Sequence, residues 1–204
     1  MIVGIDFDNT IVCYDRAFYH CALAKGLIPP SVLPAKNEIR NYLRINGQEE
    51  EWIELQGLVY GANMHEADLF PGVIDFFKRC VRQGITVYII SHKTQYPYRG
   101  PKYDLHKATY EWIKNQSFLS KTDTRLSNVV FLELTKKEKI QRIITQKCTH
   151  FIDDLPEFLS DSAFPSGVHR ILFDPHHLHA DTDADIHVSS WSELSEWLTN
   201  QIST

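Results

Sequence analysis

Three features are scarce or missing in this sequence: long apolar runs, paired cysteines and an excess of basic residues. No apolar run approaches the roughly 18 residues of a membrane-spanning helix, and the residues after Met1 lack the basic segment and cleavage site of a secretory signal. The four cysteines form no CxxC pair of the kind that zinc sites use. We therefore expect a reduced, cytoplasmic protein with no membrane partner.

The charge balance argues against a nucleic-acid polymer as the partner. The net charge is −5, whereas phosphate backbones select proteins with clustered Lys and Arg. A few local bases are still enough to hold a small acidic substrate. A chain of 204 residues with 43% hydrophobic and 23% charged residues is typical of one globular domain with room for a smaller insertion. The expected oligomeric state is a monomer or a homodimer.

Short apolar runs alternate with helix-like segments, which is the pattern of a parallel sheet covered by helices. We therefore predict an α/β fold. The predicted strands lie at residues 2–7, 85–90, 128–132, 150–152 and 170–173, with 186–188 at an edge. Capping boxes at Thr135 and Ser190 predict helices that begin at about residues 136 and 191.

Residues 14–69 break this rhythm, because they show helical periodicity without a convincing strand. We expect a small helical unit inserted after the first strand, with residues 1–13 and 70–204 forming the core. Such an insertion would hang over the residues that end the first strand.

Two pairs of aspartates follow predicted strands. Asp6 and Asp8 come at the end of the first strand, and Asp153 and Asp154 follow the strand at 150–152. Ligands of α/β sheets bind beyond the carboxyl ends of the strands, so both pairs belong where a site is expected. If the two strands are neighbours, up to four carboxylates converge, and a hard divalent cation such as Mg²⁺ is needed to neutralise them.

A hydroxyl and a lysine complete this set of polar residues. Ser91 ends a third strand, where its hydroxyl and the following backbone N–H groups, beginning with His92, can bind an oxyanion or simply cap the next turn. Lys136 begins a helix, where a positive charge is locally unfavourable unless an anion lies nearby. Lys137 and Lys139 compete with it. We select Lys136 because the capping box makes it the first helical residue.

The sequence resembles the haloacid dehalogenase (HAD) superfamily of phosphotransferases in four motifs. In chain order these are Asp6-Phe7-Asp8-Asn9-Thr10, Ser91, Lys136 and Asp153-Asp154. The resemblance covers residues 2 to about 160. It implies a Rossmann-like three-layer core, and residues 14–69 are similar to the helical first-position cap of that superfamily.

The resemblance also implies a role for each motif residue. Asp6 would be the nucleophile that takes the phosphoryl group, and Asp8 the acid that protonates the leaving alcohol and the base that activates water. Ser91 and Lys136 would hold the phosphoryl oxygens, and Thr10 would assist through its hydroxyl. The implied Mg²⁺ ligands are Asp6, Asp8 through its backbone carbonyl, Asp153 and Asp154.

Four other segments leave alternatives open. Residues 107–113 and 151–156 look like the corresponding regions of 5′(3′)-deoxyribonucleotidases. Arg99, in the loop after Ser91, is either a solvated base or a ligand for a substrate carboxylate or second phosphate. The histidine-rich residues 174–181 are either a zinc site or a polar surface loop.

The expected protein is a Mg²⁺-dependent phosphomonoester hydrolase that acts on a small phosphorylated metabolite through an aspartyl phosphate. The alternatives are a 5′-nucleotidase or deoxyribonucleotidase-like activity, a sugar phosphomutase and a non-catalytic phosphate-binding domain.

Overall fold

The computed structural model describes residues 1–116, 130–179 and 182–202. Contacts divide the chain into two units. Unit 1 contains Met1–Ile11, Leu69–His92 and the described residues from Val130 onward. Unit 2 contains Val12–Asp68 and Lys93–Gln116. It therefore holds most of the segment expected as a helical insertion, together with residues 93–116. No helix in the described residues is both long enough and apolar enough to span a membrane.

The described part of the chain contains eight strands and eight α-helices. The strands are β1 (Ile2–Ile5), β2 (Val12–Cys13), β3 (Asp68–Leu69), β4 (Thr86–His92), β5 (Val130–Glu133), β6 (His150–Asp153), β7 (His169–Phe173) and β8 (Ile186–Val188). The helices are α1 (Asp15–Ala24), α2 (Lys36–Ile45), α3 (Glu49–Tyr60), α4 (Val73–Arg82), α5 (Leu105–Asn115), α6 (Lys136–Thr145), α7 (Pro156–Leu159) and α8 (Trp191–Ile202), with a short 3₁₀ helix at Met64–Glu66.

Unit 1 is built on a six-stranded sheet in the order β5-β4-β1-β6-β7-β8, and every adjacent pair is parallel. The fold is α/β and Rossmann-like, as predicted. Each predicted strand is present, although residues 128 and 129 lie outside the described part of the chain. Strand β1 lies between β4 and β6, so Ile5 pairs with both Ile89 and Ile152. This order brings three predicted site-bearing strand ends together.

Strand β1 approaches its neighbour β6 closely at Gly4, whose partner across the sheet is Phe151. A Cβ atom added to Gly4 would lie 2.5 Å from the Phe151 ring and 3.1 Å from the sulfur of Cys148. Real Cβ atoms do not make a 2.5 Å contact, so only glycine fits here without moving the aromatic ring. Strand β1 is thus tightly packed at Gly4, two residues before Asp6.

Both predicted helix starts are confirmed. The Thr135 hydroxyl accepts a hydrogen bond from the backbone N–H of Glu138 at 3.1 Å, and α6 begins at Lys136. The Ser190 hydroxyl accepts from the N–H of Glu193 at 3.2 Å, and α8 begins at Trp191. These caps satisfy backbone donors that the first turn of a helix leaves without partners.

Unit 2 is a helical unit with an aromatic centre. Phe18 of α1 stacks on Trp52 of α3 at a centroid distance of 5.0 Å. The indole N–H of Trp112, in α5, donates to the carbonyl of Ala67 at 3.1 Å. This bond explains in part why residues 93–116 group with residues 12–68.

Candidate active site

Three buried polar side chains meet at the carboxyl ends of the central strands of unit 1. Asp6 follows β1, Ser91 belongs to β4 and Asp153 ends β6, and their exposed fractions are 5%, 1% and 0%. The Ser91 hydroxyl donates to Oδ1 of Asp6 at 2.9 Å. The structure therefore brings these predicted site residues together.

A lysine joins the two aspartates, but it is Lys139 and not Lys136. Nζ of Lys139 lies 2.6 Å from Oδ1 of Asp6 and 2.6 Å from Oδ2 of Asp153, and the residue is 2% exposed. Lys136 and Lys137 are exposed on the first turn of α6. The prediction that Lys136 lies at the site is therefore wrong, and Lys139 occupies that position.

Helix geometry explains why the later lysine reaches the site. Side chains of an α-helix point back toward its N-terminus, so a long side chain one turn inside the helix places its end near the helix start. Lys139 shares the buried face of α6 with Ile140 and Ile143. Its ammonium group also lies 4.1 Å from the centroid of the Phe158 ring, which adds a cation–π contact.

The charges of the site shift the proton equilibria of Asp6 and Lys139. Burial, reinforced by the nearby carboxylates of Asp153 and Asp8, raises the pKa of Asp6 to about 7, and the opposing charge of Lys139 does not cancel this effect. Burial by itself would lower the pKa of Lys139, but the carboxylates of Asp153 and Asp6 outweigh it and raise that pKa. Lys139 therefore stays protonated between Asp6 and Asp153.

The three carboxylates of Asp6, Asp153 and Asp154 lie close enough together to hold a cation. One oxygen from each lies within 4.8 Å of the others, and within the described ranges this is the one group of three or more acidic, histidine or cysteine side chains so placed. Clustered carboxylate oxygens are the donor set that Mg²⁺ and Ca²⁺ prefer. The side chain of Asp8 is not part of this group, and the contribution of its backbone carbonyl stays a prediction.

Hydrogen bonds orient the carboxylates of Asp153 and Asp154. The Thr10 hydroxyl donates to Oδ1 of Asp154 at 3.3 Å, and the backbone N–H of Leu155 donates to Oδ1 of Asp153 at 3.0 Å. The Thr10 carbonyl in turn accepts from the indole N–H of Trp191 at 3.0 Å. Thr10 is therefore placed to position Asp154, whereas its predicted contact with phosphate stays a prediction.

His92 and Arg99, the other two residues predicted to bind phosphate, each contact other protein groups. The ring of His92 hydrogen-bonds through Nε2 to the carbonyl of Leu134 at 3.0 Å, and burial lowers the pKa of His92. Its backbone N–H remains the group expected to meet phosphate. Arg99 belongs to unit 2, where its guanidinium pairs with Glu50 at 2.6 Å and Glu54 at 3.0 Å. The Arg99 side chain is 47% exposed, and its substrate role stays a prediction.

The histidine-rich segment after β7 forms a loop ordered by Asp174. Its carboxylate accepts from the backbone N–H groups of Leu178 and His179 at 2.9 and 2.8 Å. Residues 180 and 181 lie outside the described residues. Among the described residues, the histidines of this loop are not part of a group of three side chains that could hold a metal ion. The choice between a zinc site and a polar loop stays a prediction.

Comparison with known proteins supports the fold of this chain. No protein-family model matches it, and neither does any curated protein. Solved structures do match over nearly the whole length. A HAD-superfamily hydrolase from Ehrlichia chaffeensis gives a TM-score of 0.54 at 17% identity, covering 98% of this chain and 97% of its own.

Two further structures give the same result. A HAD-family hydrolase from Deinococcus radiodurans R1, solved with bound phosphate and sodium, has a TM-score of 0.59 at 13% identity, over 98% of this chain and 95% of its own. A haloacid dehalogenase-like hydrolase from Xanthomonas campestris has a TM-score of 0.54 at 11% identity, with coverage of 98% and 95%. At these identities the likeness shows a shared fold, and the chemistry must be argued from the residues.

Proposed function

We propose that this chain is a Mg²⁺-dependent phosphomonoester hydrolase that acts on a small phosphorylated metabolite through an aspartyl-phosphate intermediate. The observation that carries the proposal is the buried ammonium group of Lys139, which lies 2.6 Å from both Asp6 and Asp153. Buried charged groups are costly to maintain unless they are paired, and they cluster at functional sites. The HAD-like fold is consistent with this chemistry.

Asp6 is the proposed nucleophile. Its carboxylate attacks phosphorus, a bond forms between the Asp6 oxygen and phosphorus, and the ester bond to the leaving alcohol breaks. Asp8, two residues later, gives its proton to the leaving oxygen. In the second step Asp8 takes a proton from water, the water oxygen bonds to phosphorus, and the Asp6–phosphorus bond breaks to release inorganic phosphate.

Lys139 and Ser91 hold the reacting groups in place. Both already contact Oδ1 of Asp6, so both lie where the oxygens of an attacked phosphoryl group would add negative charge. A fixed ammonium group in a site closed to water stabilises such charge strongly, because little reorganisation is needed during the reaction. This assigns to Lys139 the part that the sequence resemblance gave to Lys136.

The acidic cluster fits the proposed cation. Asp6, Asp153, Asp154 and the carbonyl of Asp8 would hold Mg²⁺, which when bound neutralises the carboxylates and the phosphoryl oxygens. The Thr10 hydroxyl and the N–H of Leu155 keep the carboxylates of Asp154 and Asp153 in position to bind it.

The first test is phosphate release from p-nitrophenyl phosphate. We expect activity that requires Mg²⁺, is lost with EDTA, and falls to background in Asp6→Asn. Asp75→Asn, which changes an exposed acid in the first turn of α4, is the matched control and should keep wild-type activity. Full activity in Asp6→Asn would overturn the nucleophile assignment. Phosphate transfer within a sugar phosphate without phosphate release would instead indicate a mutase.

A further inference from the structure

The first residue of α8 is a tryptophan whose polar atom is used inside the protein. Trp191 is 0% exposed, and its indole N–H donates to the backbone carbonyl of Thr10 at 3.0 Å. The two residues lie 181 positions apart in the sequence. A buried indole N–H normally finds a hydrogen-bond partner. Here the partner belongs to the same short segment as Asp6 and Asp8.

The Trp191 ring is fixed by packing within unit 1. It makes an edge contact with the Phe76 ring of α4 at a centroid distance of 4.9 Å, and it lies 5.7 Å from the ring of Phe173 at the end of β7. Gly72, directly before α4, has a φ of +91°, and a Cβ atom added there would lie 2.9 Å from Cβ of Trp191. Glycine thus allows the start of α4 to approach Trp191 closely. The indole N–H therefore reaches Thr10 from a tightly packed part of the unit.

The backbone that receives this hydrogen bond has an uncommon conformation. Asn9 has a φ of +58°, in the left-handed region that residues other than glycine rarely adopt. The N–H of Ile11 donates to the carbonyl of Phe7 at 3.1 Å, and the carbonyl of Ile11 accepts from the N–H of Phe70 at 3.0 Å. Uncommon backbone conformations persist where surrounding contacts hold them. Trp191 supplies one such contact at the residue directly after Asn9.

Thr10 joins this backbone contact to the acidic cluster. Thr10 is 0% exposed, and its hydroxyl donates to Oδ1 of Asp154 at 3.3 Å. Asp154 in turn contributes one of the three carboxylate oxygens that lie within 4.8 Å of one another. Because Trp191 holds the carbonyl of Thr10, it also limits the direction in which the hydroxyl of the same residue can point. Two hydrogen bonds thus connect the start of α8 to a proposed cation ligand.

We propose that Trp191 is a positioning residue for the cation site, and that it acts through Thr10 to hold the carboxylate of Asp154 in place for Mg²⁺. The identity of the cation rests on the proposed function. Loss of an outer contact of a metal ligand commonly weakens metal binding about 10- to 100-fold, and Trp191 acts one residue further away. Removal of its N–H should therefore weaken Mg²⁺ binding by a smaller factor, without a change in kcat at saturating Mg²⁺.

Mg²⁺ titrations followed by ¹H–¹⁵N NMR measure this binding without turnover. The dissociation constant is obtained from the backbone N–H signal of Leu155, which donates to Asp153. Trp191→Phe keeps an aromatic ring but removes the donor, and it should raise this constant about three- to tenfold. Trp197→Phe is the matched control. It makes the same change in the same helix, where the ring packs against His150, and it should leave the constant unchanged.

A second comparison separates the hydrogen bond from packing. Thr10→Val keeps the backbone carbonyl but removes the hydroxyl that contacts Asp154, so it should weaken Mg²⁺ binding about tenfold. In the Thr10→Val background, Trp191→Phe should add less than about twofold, because the connection to Asp154 is already lost. A general loosening of the core would add its full factor in both backgrounds, and that result would overturn the positioning role.

The wild-type protein decides the question if Trp191→Phe does not fold. The indole N–H signals of the four tryptophans are followed during the same titration. A cation that binds Asp154 changes the environment of Thr10, so the Trp191 signal should shift along the same curve as the Leu155 signal. The Trp197 signal should stay where it is. A Trp191 signal that does not move while the Leu155 signal shifts would overturn the inference.

The results also separate this inference from the hydrolase proposal. Trp191-dependent Mg²⁺ binding by a protein that releases no phosphate from p-nitrophenyl phosphate would support the positioning role and refute the hydrolase. Phosphate release by a protein whose Mg²⁺ dissociation constant is the same in the wild type and in Trp191→Phe would do the reverse. A wild-type protein that binds no Mg²⁺ would overturn both.

Discussion

Strand β6 carries a buried ionisable side chain at each end, and the two side chains have different neighbours. At the carboxyl end, Asp153 is 0% exposed and pairs with Lys139 at 2.6 Å. At the amino end, His150 is 9% exposed and stacks on His169 of β7, with ring centroids 4.9 Å apart. One end thus supplies an opposite charge, and the other supplies a second imidazole.

The difference shows in the pKa values of His150 at one end and of Lys139, the partner of Asp153, at the other. Burial, together with the nearby positive charges that His169 and the amino terminus can carry, lowers the pKa of His150 to about 4. The His150 ring is therefore neutral at pH 7, and its Nδ1 forms a hydrogen bond with the Thr149 hydroxyl at 2.8 Å. At the other end, the carboxylates raise the pKa of Lys139 and keep it charged. Buried charge is thus retained where chemistry is proposed and avoided where the strand only packs.

The largest effect is expected at the charged end. Lys139→Met should lower kcat for p-nitrophenyl phosphate by about 100- to 1,000-fold, because it removes a fixed cation from the place where negative charge develops. The matched control is Lys136→Met, three residues earlier and exposed, which should keep nearly wild-type activity. The reverse ranking of the two variants would return the catalytic role to Lys136.

A smaller loss is expected when the cation ligands are weakened. Asp154→Asn removes the charge that the Thr10 hydroxyl orients at 3.3 Å, so the Mg²⁺ concentration for half-maximal activity should rise about 10- to 100-fold. Activity should return at high Mg²⁺, which distinguishes this variant from Lys139→Met. Unchanged Mg²⁺ dependence would remove Asp154 from the ligand set.

These predictions depend on features that the sequence reveals unequally. The strands were predictable because each is a short apolar run in the sequence. The helix starts were predictable because the caps at Thr135 and Ser190 involve residues only three positions apart. The closeness of Asp6 and Asp153 is predictable from two strand ends on the condition that β1 and β6 are neighbours, and the sheet meets that condition.

The identity of the lysine was not predictable in the same way. Lys136 and Lys139 both lie four residues before an isoleucine of the buried face, Ile140 and Ile143 respectively, so apolar spacing does not separate them. The choice depends on the length and direction of a side chain in three dimensions. The ion pairs of Arg99 with Glu50 and Glu54 are also tertiary contacts, between residues more than 40 positions apart.

At the neutral end, acid should destabilise the fold through His150. Its pKa is about 4 when folded, against 6.5 for a free histidine, so the unfolded chain binds more protons between these values and stability falls as the pH falls from 6.5 toward 4. From this shift, His150 costs about 2 kcal/mol at pH 5 relative to neutral pH.

The test is urea unfolding at pH 7 and pH 5. In His150→Phe, which cannot titrate, the loss of unfolding free energy between these values should be smaller than in the wild type by about 2 kcal/mol. His176→Phe, in the exposed loop after β7, should keep the wild-type pH dependence. An unchanged pH dependence in His150→Phe would show that this end is not acid-sensitive through His150.

The smallest effect is expected at His169. This residue is exposed, and its charge is only the second cause of the low pKa of His150. In His169→Gln the pKa of His150, followed by NMR of the ring protons, should rise but stay below 6.5, because burial remains. A further fall in that pKa would contradict the role given to His169.

The central claim is that Asp6 becomes phosphorylated during turnover, and acid-quenched mass spectrometry tests it most directly. Asp8→Asn slows the second step, so after mixing with Mg²⁺ and p-nitrophenyl phosphate a phosphoryl group should accumulate on the peptide that contains Asp6. The double variant Asp6→Asn/Asp8→Asn should carry none. A catalytically active protein whose Asp6 peptide stays unmodified, or a phosphoryl group found on another residue, would contradict the account.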